Sequence, residues 1–145
     1  MQAKVLNESG EQTIVLVFDS GEEPVSALTR YAQEHALDAS RFTAIGAFDQ
    51  AVLGYFDWER KTYMENAIFE QVEVLSLIGN IALDGERPKV HAHVVVGKRD
   101  GSTLGGHLLR ARVRPTLEVV LVESPRYMKR VFDPHTGLAL IDLEA

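Results

Sequence analysis

The chain has 145 residues, 46% of them hydrophobic and 25% charged, the proportions of an ordinary globular domain. Fifteen Lys and Arg against twenty-one Asp and Glu leave a formal charge of -6. That balance argues against non-specific nucleic-acid binding by a basic surface, and the absence of cysteine excludes disulfides, thiolate metal sites and a cysteine nucleophile.

The length suits one domain over residues 1–145. No apolar run approaches the roughly 20 residues that span a bilayer, and the amino terminus MQAKVLNESGEQ lacks an apolar signal core. A cytoplasmic protein without membrane contact is expected.

In chain order, residues 13–19 (TIVLVFD) are β-branched and apolar and read as a strand. Pro24 sits where a helix can begin, since the first turn needs no amide hydrogen. Val25, Leu28, Thr29, Ala32 and Ala36 recur at helical spacing, which predicts a helix over 24–36 with those residues inward. From Ser40 the period becomes two. Strands are predicted at 42–48, 50–57, 62–69, 72–83, 89–97 and 116–123. The short polar connections favour antiparallel neighbours. Gly46, Gly54 and Gly79 interrupt the strand patterns and suggest bulges or close backbone approach. The expected class is α+β, a mostly antiparallel sheet with one main helix on a face. One helix cannot cover such a sheet, so self-association is expected.

Three of the five histidines gather around HAHVVVG (His91, His93) and GGHLL (His107). A strand sends alternate side chains to one face, so His91 and His93 point together while Val90, Ala92, Val94 and Val96 face the core. A turn near Asp100–Gly101 can return His107 to the same face, with Gly105 and Gly106 allowing close approach. Three imidazoles suit zinc or another divalent transition metal and leave a fourth position for water or substrate. Satisfied histidines in a polar cluster are the plainer alternative. His35 at the helix end and His135 in a turn carry no such grouping.

Residues 98–114 hold Lys98, Arg99, Arg110, Arg112 and Arg114 against only Asp100. A solvated loop and strand edge explains this run, and contact with nucleic acid or a partner is the sharper reading. No phosphate loop, dinucleotide fingerprint or nucleophile elbow is present. Asp57, Glu59 and Glu65 offer carboxylates on polar connections, and YFDWERKTY (55–63) could line a pocket or a sheet edge.

At RFTAIGAFDQAVLGYFD (41–57), EQVEVLSLIGNIAL (70–83) and PKVHAHVVVGKRDGSTLGGHLL (88–109) the sequence resembles the PPC domain, the family shared by plants and prokaryotes. The resemblance spans about 13–123 and implies an α+β subunit that forms homotrimers. In plant members the domain follows an AT-hook and belongs to nuclear DNA-associated proteins. Here Glu86-Arg-Pro-Lys89 lacks the arginine-glycine pair of an AT-hook. His91, His93 and His107 match the prokaryotic pattern, in which those positions resemble a metal site.

Three functions follow. The first is a non-enzymatic homotrimeric binding or regulatory module, associated with DNA or DNA-bound regulators through partners. The second is a small metal-dependent hydrolase, with Asp57 or Glu118 as the carboxylate that folding would have to bring near. The third is weak direct DNA binding by the 98–114 segment.

Overall fold

Period-two patterning over most of the chain produces a mostly antiparallel sheet with a single short helix among the described residues. In the computed structural model the order is β1 (Gln2–Asn7), β2 (Gln12–Asp19), α1 (Pro24–His35), β3 (Ala39–Asp57), β4 (Thr62–Ile68), β5 (Val72–Asp84), β6 (Arg87–Gly97), β7 (Thr103–Glu123), β8 (Lys129–Asp133) and β9 (Leu138–Asp142). Residues 1–7 and 10–144 are described, β1 by its backbone pairing.

The long strands β3 and β7 organise the sheet. β3 pairs with β5 and β7, and β6 pairs with β5 and with the first part of β7. The ladder β3–β5–β6–β7 thus returns to its start, and the bent strands wrap around one core instead of lying as an open layer. β1 extends the ladder through β2 onto β7, and β4 adds to the far end of β3. The only parallel pairing among the described residues joins β5 to β8.

Alternation decides what is inside. Ile14, Leu16 and Phe18 of β2, Ala92, Val94 and Val96 of β6, and Leu117, Val119 and Leu121 of β7 are all buried. Val90 packs against this core only in part. The helix packs its inner side on β6 and β7.

The helix ends one residue before the expected limit, because Ala36 takes a left-handed cap conformation at φ 52°. Its buried stripe is Pro24, Ala27, Leu28, Tyr31 and Ala32. Thr29 is only partly covered and Ala36 is exposed, so the inward face is rotated from the one the sequence suggests. Tyr31, long and amphipathic, takes the inner place instead. At the N-terminus the Glu23 carboxylate accepts from the amides of Val25 and Ser26, at 3.2 and 2.7 Å, and from Ala111 on β7 at 3.3 Å. One cap thereby ties the helix to the sheet.

Two predicted strands, 42–48 and 50–57, are one element, β3. The gap at Asp49 is a register shift against β7 between Phe48 and Gln50, and the irregularity suggested at Gly46 is also present, with φ +150° and a register shift against both neighbours. The reading of 98–114 as a solvated loop and strand edge holds in outline: 103–106 pair with β6 alone, 108–113 with β3 alone, and Arg110, Arg112 and Arg114 are exposed. Only 98–102 is a connection, and β7 runs from Thr103 through the basic residues to Glu123. Pro115 hid this continuity, since proline rarely sits in a central strand. It is tolerated where β3 skips register, and the β2–α1 turn takes over the local bonding through Gly21 N–H to Val113 O (2.8 Å) and Ser20 Oγ–H to Pro115 O (2.9 Å).

Glu123 closes the other end. Its carboxylate accepts from the amides of Asp38 and Ala39, at 2.9 and 3.0 Å, and from the fully buried Ser40 hydroxyl. Glu123→Ala would leave these donors without a partner in a dry place. The expected loss is about 2 kcal/mol or more of folding stability. It should read as a lower urea midpoint at constant m, and an unchanged midpoint would refute the assignment.

Candidate metal centre

β6 carries His91 and His93 on the outside of the ladder, opposite in alternation to Ala92 and Val94 in the core. β7 returns antiparallel with His107 directly across from His93. Register partners share a face, so the three rings meet. Their centroids lie 5.0–5.3 Å apart, and the Nε2 atoms of His91 and His93 are 3.2 Å apart. One nitrogen from each ring falls within 4.8 Å of the others. Three nitrogens at zinc-binding distance from one ion stand about 3.3 Å apart in tetrahedral geometry. The His91–His93 pair already has that spacing, and His107 offers a nitrogen within 4.8 Å of both. These three residues could hold a metal ion.

The electrostatics favour the required neutral form. Burial, followed by the charges of His91, His93 and Lys89, pushes the His107 imidazole down to about 4. His91 is also lowered, first by burial and then by Arg130, His93 and Lys89. Unprotonated imidazole is what a metal needs.

Tyr63 supports His107. Its ring stacks at 4.7 Å between centroids, and its hydroxyl stands 3.4 Å from Nδ1. The contact addresses the nitrogen that Nε2 coordination would leave free. Burial raises the Tyr63 phenol above its ordinary value, so it remains a neutral hydroxyl. Gly54, paired with His107 on β3, makes this possible. A Cβ there would stand 2.7 Å from the Tyr63 ring. Gly106 likewise allows the β3 backbone to approach, since its Cβ would lie 2.9 Å from Gly54 O. Tyr63 ends the aromatic stretch 55–63 that the sequence offered as a pocket lining.

The depressed imidazoles give stability a sign. Between pH 6.5 and about 4 the unfolded chain protonates its histidines while folded His107 resists. The metal-free protein is therefore expected to hold its stability above pH 6.5 and lose it as pH falls through that window. A denaturation midpoint that rises on acidification from 6.5 towards 4 would contradict this.

The other candidates separate from this centre. His35 is the last helical residue and stacks on Tyr31 at 4.1 Å. His135 lies in the β8–β9 turn, where its amide donates to Asp133. The Asp57 carboxylate accepts from the Glu59 and Arg60 amides and shapes a turn.

The basic residues are mostly matched. Arg110 makes a two-point pair with Glu65 (3.1 and 2.7 Å), and Arg112 makes one with Asp49 (2.7 and 3.0 Å). Arg114 approaches Asp49 at 3.9 Å, and Lys98 pairs with Glu70 at 2.7 Å. The Arg112 bonds, ahead of opposing burial, hold Asp49 below the usual carboxylate range. Arg110 does the same for Glu65. Among the described residues Arg99 has no ion-pair partner. The acids lie on β3, β4 and the segment before β5, distant in sequence, so the run looked unopposed.

Sequence reasoning missed one residue of this neighbourhood, Arg130. It comes from β8, which was not foreseen, and it is buried beside His91. Nothing in KRVFD marks an inward arginine.

Comparison with known proteins follows the same lines. Residues 6–125 match the family model for the Plants and Prokaryotes Conserved (PCC) domain. A metal-containing protein from Archaeoglobus fulgidus is 37% identical, covering 95% of this chain and 98% of that one, at TM-score 0.83. A plant- and prokaryote-conserved (PPC) protein from Pyrococcus horikoshii is 28% identical, covering 97% and 94%, at TM-score 0.85. A candidate DNA-binding protein from Bacteroides thetaiotaomicron is 28% identical over 99% of each chain, at TM-score 0.87. The bifunctional protein GlmU of Synechococcus sp. (strain JA-3-3Ab) is 33% identical over 127 residues, 86% of this chain. The chain spans only 19% of that protein's length. With the histidine centre built on this fold and the family model matched over residues 6–125, the chain belongs to the Plants and Prokaryotes Conserved domain family.

Proposed function

We propose that this chain is a non-enzymatic, homotrimeric binding module of regulatory kind that carries zinc, or another divalent transition metal, on His91, His93 and His107. The observation that carries the reading is the placement of the three imidazoles on one outer sheet face, beside an apolar surface. Ile45, Ile78, Val95 and Val120 on β3, β5, β6 and β7 are 60%, 56%, 42% and 45% exposed. Register places Val120 across from Thr43, Thr43 across from Ile78, and Ile78 across from His93. An apolar row of this kind on a charged domain calls for a covering partner, and further copies of the chain are the occupant we assign. The metal-containing relative from Archaeoglobus fulgidus supports the metal part of the proposal. The test is light scattering with metal analysis on the purified chain. A particle three times the 16.1 kDa chain mass with one metal per chain is expected. A metal-free 16.1 kDa monomer at micromolar concentration would overturn it.

The open position of a three-histidine set keeps a metal-dependent hydrolase as the alternative. DNA association enters through the Bacteroides relative, and we assign it to partners in the cytoplasm. The isolated chain is expected to bind duplex DNA weakly, through Arg99 and whatever cations leave their pairs. That binding should vanish between about 50 and about 200 mM salt. Tight, sequence-selective binding at physiological salt, read by fluorescence anisotropy, would refute the assignment.

A further inference from the structure

The β8–β9 hairpin lies beyond the family match, which ends at residue 125, and it places a buried cation next to the histidines. Arg130 is only 7% exposed. Its Nη2 donates to Asn80 Oδ1 at 2.6 Å and its Nη1 to Ala139 O at 3.2 Å, while its buried Nε has no partner. Neither acceptor is charged, and among the described residues no carboxylate pairs with Arg130. The nearby Asp84 is committed to Lys89 at 2.7 Å. A buried guanidinium without an anion is costly, and burial pulls Arg130 below its ordinary value.

Arg130 is not sealed away. It lines a cavity of about 170 Å³ whose other walls include His91, His107, Tyr63 and Lys89. Small-molecule pockets usually run to about 300–1,000 Å³, so this one suits a group of few atoms. Two imidazoles of the metal centre, Tyr63 and two cations line it beside an apolar wall from Leu138 and Leu140, with no acid in the lining. Lys89 is paired outside it with Asp84, which leaves Arg130 as the cation without a carboxylate. Metal binding would add further positive charge.

We propose that this cavity is an oxyanion subsite, in which Arg130 receives a carboxylate or phosphate group of a small ligand held against the metal centre. The proposal rests on the metal reading above and deepens it by naming the ligand's chemical class. Arg130 supplies a charge-assisted donor fork, Asn80 and the Ala139 carbonyl fix its position, and the hairpin acts as the wall that presents it.

The test uses the full chain loaded with cobalt(II), freed of excess metal and titrated separately with inorganic phosphate and with acetate. Visible absorption reports the metal's surroundings. A saturable spectral change with at least one anion is expected, and comparison of the two arms tells phosphate from carboxylate preference. Arg130→Gln should weaken that anion about tenfold or more with cobalt content retained, and Arg130→Lys should weaken it less. If the glutamine variant does not fold, the lysine variant decides, with wild-type affinity counting against the subsite. No saturable change in the loaded wild type, or equal affinity in the folded variants, overturns the subsite and leaves the metal site standing. A wild-type chain that retains no cobalt overturns both.

Discussion

Replacement of His91, His93 and His107 together by alanine is expected to take metal content from one equivalent per chain to below a tenth. The three rings sit on the outer face, His93 exposed and the other two half-buried, so the core of Ala92, Val94 and Leu108 is untouched. The triple variant should therefore fold, and its far-ultraviolet dichroism should match the wild type. His93→Ala alone removes one of three ligands and is expected to weaken zinc by about 100-fold or more, since even outer-shell partners change affinity by about 10- to 100-fold. Tyr63→Phe removes only the hydroxyl near His107 Nδ1 and should weaken zinc about tenfold. Competition with a chelator of known affinity measures each value. Metal retained by the triple variant would end the assignment.

The same centre predicts how acid would release a bound metal. Protons displace zinc only where imidazole accepts them, and burial holds both His91 and His107 below the ordinary value of 6.5. Release should therefore lie to the acid side of pH 6.5. Half-release above pH 7 would show that the burial argued for His107 is not felt in solution.

How much of this was open to sequence reading depends on the range of the interaction concerned. The His-x-His spacing is local, and strand alternation alone places both rings opposite Ala92 and Val94. The return of His107 needed only the short connection 98–102, so the centre could be anticipated. Pairings across long separations could not. Arg112 meets Asp49 and Arg110 meets Glu65 because β7 runs beside β3, which carries β4 on its other side, and the basic run looked free without that topology. Pro115 hid the continuity of β7, because proline is a local strand breaker that only a register skip makes tolerable, and the register shift between Phe48 and Gln50 broke the period of β3 at Asp49. The β8–β9 hairpin is short and its Asp133-Pro-His-Thr-Gly turn was visible, yet five-residue flanks carry too little periodicity to declare strands. Arg130 went unseen with it. Closure of the β3–β5–β6–β7 ladder was equally out of reach, since β3 and β7 each change partner along their length.

Ile78→Glu is expected to convert the proposed homotrimer into a 16.1 kDa monomer at micromolar concentration. Ile78 stands between Thr43 and His93 in register, in the middle of the row that includes Ile45, Val95 and Val120. In the monomer it is 56% exposed, so a carboxylate there meets water and folding should survive. In a trimer the same carboxylate would be buried without a cation at every copy of the interface, and a lone buried charge costs several kcal/mol. Ile78→Val removes one methylene, about 0.8 kcal/mol per copy at full burial, and should leave the assembly intact. Light scattering on both variants separates the cases, and an Ile78→Glu particle of unchanged mass would show that this face is not the interface. The metal readout then tells whether assembly and site are linked. All three histidines come from one chain, so a folded Ile78→Glu monomer should still retain zinc, with weaker affinity only if a neighbouring copy shields His93 from water.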